Sequence, residues 1–173
     1  MIILALLLTS GFSVFALLFL LVMIESLLRG HDLPTSRKDT ETLCNIISEY
    51  KPEGRNFYDL GCARGLLATR IKKRFPHLSV FAFDNSSMRI ICAKLRACLL
   101  GQDIRFLRKN IFDVNVSNAD IVYTYLWYDT MPSLEQKLQK ELKRGALVIT
   151  NTSHFPNWEP IQQIETLFLY RKG

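Results

Sequence analysis

Residues 56–65, NFYDLGCARG, decide how this chain is read. Phe57-Tyr58-Asp59-Leu60 has the make-up of a short buried strand. Gly61 and Gly65 mark a tight turn, and Leu66, Leu67, Thr69, Arg70 and Ile71 follow in a helical pattern. Strand, glycine turn and helix in that order present backbone N–H groups and a helix N-terminus to a ligand at the carboxyl end of an α/β sheet's first strand. Gly61 can turn with φ > 0 and lets a ligand approach the backbone without meeting a Cβ. Gly65 allows helix and strand to come close. The spacing is D-x-G-x-x-x-G, which differs from the G-x-G-x-x-G of nicotinamide enzymes and lacks the G-x-x-x-x-G-K-[ST] of a phosphate loop.

Downstream, strands and helices alternate. Leu78–Phe83 is a second apolar run ending on Asp84, and Ser86 or Ser87 can cap a helix carrying Met88, Ile91, Cys92, Leu95 and Leu99 to about Gly101. Further strands are expected at Ile104–Leu107, Asp120–Leu126, Ala146–Thr150 and Thr166–Tyr170, with a charged amphipathic helix over Ser133–Lys143. Upstream, Pro34 and Ser36 precede a helix with apolar positions Leu43, Ile46, Ile47 and Tyr50, stopped by Lys51-Pro52-Glu53-Gly54. This order predicts an α/β fold, a mostly parallel Rossmann-like sheet with helices on both faces. Asp84 stands 25 residues after Asp59, where a carboxylate can accept bonds from both hydroxyls of an adenosine ribose; capping the next helix is its alternative role. Asn110, after the third strand, can reach an adenine edge or serve as a turn residue.

The first two dozen residues are of another kind. Residues 2–24 carry no charge, and as a helix at 1.5 Å per residue they would reach roughly 35 Å, enough to span a bilayer core. No Lys or Arg precedes the run and no A-x-A-like cleavage site follows it, so an uncleaved transmembrane anchor over 1–28 is expected ahead of a signal peptide. Arg29, Arg37 and Lys38 follow it, which places the remainder on the cytoplasmic side. A linker over 29–36 and one domain over 37–173 complete the organisation. The net charge of +6 belongs to the part beyond residue 30, because Glu25 and Arg29 cancel. It suits an anionic membrane or an acidic partner, or only a solvated basic face. Cys44, Cys62, Cys92 and Cys98 contain no C-x-x-C and read as reduced thiols. No metal site and no nucleic-acid partner are predicted.

The glycine turn, Asp84 and Asn110 together resemble the class I (seven-β-strand) S-adenosylmethionine methyltransferases. Leu33-Pro34-Thr35-Ser36, Leu134-Glu135-Gln136-Lys137-Leu138 with Glu141-Leu142, and His154-Phe155-Pro156-Asn157-Trp158-Glu159-Pro160 narrow the resemblance to the small membrane-anchored protein-lysine methyltransferases. That family includes the mitochondrial enzymes acting on the ADP/ATP carrier and on ATP synthase subunit c, with prokaryotic relatives. The resemblance implies a seven-stranded sheet and S-adenosyl-L-methionine as cofactor. It places the methionine end at Gly61, Cys62, Ala63 and Gly65, with Thr35 nearby and Asp59 behind them. The ribose falls at Asp84 and Asn85, and the adenine at Asn110 and Ile111. It also implies a protein substrate, and for a eukaryotic chain the mitochondrial inner membrane.

The chain departs from the family where D-L-G-S-G-D-G becomes D-L-G-C-A-R-G. Ala63 brings a Cβ to a place where φ > 0 is costly, and Arg64 brings a cation near a sulfonium. Tyr125, Trp127, Tyr128 and Asp129, beyond the fourth strand, are the candidates for the acceptor pocket, since aromatic faces hold a methylated ammonium well. They can equally be core or membrane-facing aromatics. His154 and Trp158 are expected to serve the FPNWEP turn. Two alternatives stay open: methylation of a small molecule or lipid, and a degenerate methyltransferase fold acting as a binding module.

Overall fold

The computed structural model describes residues 9–17, 19–20, 23–24 and 34–173. The chain divides into two compact units, Met1–Leu33 and Pro34–Gly173. In the first, the described residues between 9 and 24 are helical and exposed. Much of the expected anchor over 1–28, and linker residues 29–33, lie outside the described residues. Among those described, no helix is long and apolar enough to cross a membrane.

The second unit is built on a seven-stranded sheet. Its strands are β1 (Asn56–Leu60), β2 (Ser79–Asp84), β3 (Ile104–Arg108), β4 (Ile121–Thr124), β5 (Leu147–Asn151), β6 (Gln162–Ile164) and β7 (Leu167–Arg171), in the order β3-β2-β1-β4-β5-β7-β6. The first five are parallel, and β7 runs antiparallel between β5 and β6. β1 is central, and its last four residues are buried because apolar layers cover both faces. The strand order reverses between β1 and β4, so the loops that leave their carboxyl ends part and open a crevice there. Asp59 pairs in register with Ala82 on one side and Tyr123 on the other.

Alternation along the strands sorts the core into two layers. On one face Phe57, Val80, Ile121 and Ile149 meet helices α1 (Arg37–Tyr50), α2 (Leu66–Arg74) and α3 (Ser87–Leu99). On the other, Tyr58, Leu60, Val122 and Val148 meet α4 (Met131–Glu141), with Val114, Val116, Ala119 and Phe155 from irregular chain completing the layer. The expected helices on both faces are therefore three and one. Ser36 caps α1 by accepting the Asp39 N–H at 3.0 Å, and Ser86 caps α3 by accepting from Arg89 at 3.1 Å. Each cap satisfies a donor that the helix itself leaves unpaired.

Three sequence expectations are corrected. The first concerns α3, where Ile91, Leu95 and Leu99 form the apolar stripe that periodicity puts inside. In the structure Ile90, Ala93 and Ala97 are the buried residues, and the stripe faces outward. The reason lies at Gly65: a Cβ built there would stand 2.8 Å from Ala93 Cβ and 2.6 Å from the Phe106 ring. The seat beneath α3 is shallow and accepts alanine-sized side chains. The second is that α4 starts at Met131, two residues before Ser133, because Pro132 fits the first turn of a helix. The third is β6, which the sequence did not suggest. Its residues, Gln162-Gln163-Ile164, lack a strand-like pattern, and edge position with β7 as sole partner supplies the pairing.

Candidate functional site

The turn after β1 is stitched to the ends of β2 and β3. The N–H groups of Gly61 and Cys62 both donate to the Phe83 carbonyl at 2.9 Å. The Ala63 N–H donates to Asp84 Oδ2 at 3.0 Å, and Lys109 N–H donates to the Asp84 carbonyl at 2.9 Å. Arg108 Nε donates to the Asn85 carbonyl at 3.3 Å. These bonds bring Gly61, Cys62, Ala63, Gly65, Asp84, Asn85, Asn110 and Ile111 to one rim of the sheet. Gly61 has φ 93° and Gly65 φ 71°, both in the left-handed region. Ala63 adopts φ 47°, the geometry natural to the glycine it replaces. Its bond to Asp84 offsets a strain of about 1–2 kcal/mol.

Asp84 braces the turns on either side of it, while the cap of α3 falls to Ser86. Its Oδ1 accepts the Ser86 N–H at 2.9 Å, Oδ2 accepts from Ala63, and Arg89 Nη1 lies 3.9 Å from Oδ2. A carboxylate has about four lone-pair sites, so capacity for two hydroxyl donors remains. Asn110 caps a short 3-10 turn, Ile111–Asp113, by accepting the Phe112 N–H at 3.1 Å. Its amide nitrogen is not used in that cap.

Asp59 is in another position. It is 2% exposed and its Oδ2 has no hydrogen-bond partner. Burial, helped by the charge of Asp84, pushes its carboxyl up to about 7. The same surroundings, burial first and then the charges of Asp59 and Asp84, push the Cys62 thiol upward, so it stays protonated and unreactive. Arg64 is exposed.

Thr35 enters the domain from the other side of β1. Its hydroxyl and that of Tyr123 lie 2.9 Å apart, Asn151 Nδ2 donates to the Tyr123 oxygen at 3.3 Å, and Arg70 Nη1 donates to the Thr35 carbonyl at 3.1 Å. Burial raises the Tyr123 phenol well above its usual range, which keeps it neutral. Tyr123 and Asn151 were missed in the sequence. A tyrosine in the middle of a buried strand, in register with Asp59, is a polar group that must find partners, and that was the available signal.

The loop after β4 carries the acceptor candidates. Leu126 lies over Gly61, where an added Cβ would come within 2.8 Å of its Cδ2. Tyr125 is half-buried against the α1–α3 layer, whereas Trp127 is 67% exposed, Tyr128 50% exposed and Asp129 exposed. Of the four, only Tyr125 packs on the core. Tyr128 meets His154 edge-on at 5.4 Å, and His154 in turn meets Phe168 at 5.5 Å. His154 thus buttresses the loop. Trp158 does not reach it; it packs on Phe155 and Tyr170 at 5.6 and 5.3 Å, in the structural role expected of the FPNWEP turn. That turn is tied to α4: Asn157 N–H donates to the buried Glu135 Oε2 at 3.1 Å. Glu135 and FPNW belong together for that reason.

A parallel five-strand core closed by an antiparallel hairpin, with a glycine turn after β1 and an acid ending β2, defines an S-adenosylmethionine-dependent methyltransferase. The residues fit that cofactor: a buried carboxylate oxygen without a partner faces a cationic ligand's needs, and Asp84 has acceptor capacity left. A family model, the ANTKMT methyltransferase domain, matches residues 59–162, and the chain belongs to that family. It is 27% identical over 126 residues to a protein-lysine N-methyltransferase of Saccharolobus islandicus, covering 67% of this chain and 78% of that one. Among solved structures, an RNA methyltransferase from Salinibacter ruber in complex with S-adenosyl-L-homocysteine superposes with TM-score 0.72 at 19% identity, over 81% of this chain and 92% of that one. TehB from Haemophilus influenzae gives TM-score 0.64 at 14% identity, over 82% and 64%. At those identities the two structures speak for the fold alone.

Proposed function

We propose that this methyltransferase N-methylates a lysine of a protein substrate and is held at a membrane by its N-terminal apolar run. The observation that carries the reading is the placement of Leu126: it covers Gly61, so the exposed Trp127 and Tyr128 begin beside the cofactor turn. An open aromatic edge suits a lysine presented on a protein surface and can hold a methylated ammonium. The lysine specificity of the Saccharolobus relative supports the same reading. S-Adenosylmethionine, when bound, supplies an electrophilic methyl group. The chain's part is positioning. Asp59 offers its free oxygen to positive charge, Asp84 with Asn85 offers acceptors for ribose hydroxyls, and Asn110 with Ile111 borders the adenine. The turn of Gly61, Cys62, Ala63 and Gly65 takes the methionine end, and Thr35, held by Tyr123, closes that side. Arg29, Arg37 and Lys38 behind the apolar run support a cytoplasmic position for the catalytic unit.

The test begins with calorimetric titration of the full chain in detergent with S-adenosylmethionine and S-adenosylhomocysteine. Methyl-labelled cofactor is then supplied with membrane proteins or with extracted lipids. Saturable binding and methyl-lysine in the protein hydrolysate are expected. Label recovered in lipid would favour the small-molecule and lipid alternative, and a folded chain that binds neither cofactor would leave only a binding module.

A further inference from the structure

The outward face of α3 takes no part in the site just described. Ile91, Leu95 and Leu99 are 58%, 60% and 79% exposed. Spaced by four, they form one row along the helix. At 100° per residue, Lys94 falls on one side of that row and Arg96 on the other, and both are exposed. The helix sequence, SMRIICAKLRACL, contains no acid. The surroundings have the same sign. Residues 70–110 hold ten Lys and Arg against two Asp, while the rest of the chain holds twelve against fourteen acids. The positive excess of the protein is thus confined to the segment from α2 to β3, and Lys73 and Arg74 at the end of α2 are exposed next to α3.

We propose that α3 is an interfacial helix that lays its Ile91–Leu95–Leu99 row into the surface of an anionic bilayer. An aliphatic row pointing away from its own domain, with cations on both flanks and no acid, has the chemistry of a helix at the boundary between headgroups and acyl chains. Lys94 and Arg96 would meet the anionic headgroups, and the basic α2–β3 segment would add long-range attraction. A single-stranded nucleic acid would call for aromatic stacking platforms in the middle of such a face, and that middle is aliphatic. The inference stands on α3 and its basic neighbours and does not need the N-terminal run to span a membrane.

The experiment uses the full chain carrying Cys92→Ala, with Cys98, exposed beside the row, labelled by an environment-sensitive fluorophore; Cys44 and Cys62 are buried. The chain is reconstituted into vesicles of phosphatidylcholine alone or mixed with phosphatidylserine. In the mixed vesicles the emission should shift to the blue and a water-soluble quencher should lose several-fold in efficiency. The effect should be much smaller in phosphatidylcholine and should vanish in Leu95→Glu, whose circular dichroism and methyl transfer to a soluble peptide stay unchanged. Should Leu95→Glu fail to fold, Lys94→Gln with Arg96→Gln gives the same reading through charge. A probe that stays in water while the chain co-floats with mixed vesicles would overturn the proposal and leave the anchor reading intact. Equal shielding in both vesicles, or shielding by added RNA in place of anionic lipid, would also overturn it.

Discussion

The β1–β4 pair has a buried or half-buried acid at each end, and the two are treated oppositely. At the amino end, Asp120 Oδ2 accepts the N–H groups of Arg55 and Asn56, each at 2.9 Å, and Lys143 Nζ lies 2.6 Å from Oδ1. Burial alone would raise its carboxyl, yet Lys143 and the two N–H groups outweigh that and hold it below the usual range. At the carboxyl end, Asp59 has a buried oxygen with no partner and is pushed up to about 7 by burial and Asp84. A satisfied carboxylate stabilises the fold by itself. An unsatisfied one costs stability until a donor or a cation arrives, and such groups gather at binding sites. The amino end of the sheet is thus held by a satisfied acid, and the carboxyl end keeps a buried acid oxygen without a partner.

The largest effect is expected at Gly65. Gly65→Ala drives a Cβ into Phe106 and Ala93 at a left-handed φ, and should cost about 3 kcal/mol or more, a fall of about 10 °C in Tm by calorimetry. A variant melting like the parent would mean that the rim is not close-packed.

Asp59→Asn should lower S-adenosylmethionine affinity about 100-fold by titration, near the upper range for a hydrogen bond to a charged group. The free protein should change the other way. A raised folded-state pKa means that the Asp59 contribution is fully present below about pH 4, where the unfolded carboxyl titrates, and is lost as pH rises to about 7. At pH 8 the ligand-free variant should therefore melt above the parent, and at pH 4 the difference should shrink. An affinity that does not change would remove Asp59 from the site.

Asp120→Asn should destabilise by about 1–2 kcal/mol through its lost ionic partners and leave cofactor affinity unchanged. Its pH dependence has the reverse sign: the Asp120 contribution is present above the unfolded pKa near 3.8 and is lost as pH falls through the lower folded value. Acid melts of parent and variant should converge. If the two acids showed the same sign, the contrast between the ends would fail.

The smallest effect is expected for Ala63→Gly. Relief of the left-handed strain and the added freedom of the unfolded chain nearly cancel, so the change should stay below about 1 kcal/mol. A larger stabilisation would show that Ala63 is held under real strain, with Asp84 as the group that holds it.

What the sequence determined by itself is whatever short-range chemistry controls. The order of the strands and helices other than β6, the caps at Ser36 and Ser86, the turn from Gly61 to Gly65 and the position of Asp84 all follow from neighbours within a few residues, where propensity and period act. Most of the candidate cofactor residues were picked out on the same ground, because they stand at or just beyond the carboxyl end of a strand, and Thr35 is the exception. What only the tertiary structure decided depends on partners far along the chain. Thr35 meets Tyr123 across 88 residues, Glu135 meets Asn157 across 22, and Asp84 meets Ala63 across 21. The choice of buried face on α3 belongs here too. Two faces of that helix are apolar enough to be inside, and the narrow space left by Gly65, Phe106 and Ala93 selects the one with alanines. Periodicity reports that a helix has an apolar side; only the shape of the surface it lands on decides which side is buried.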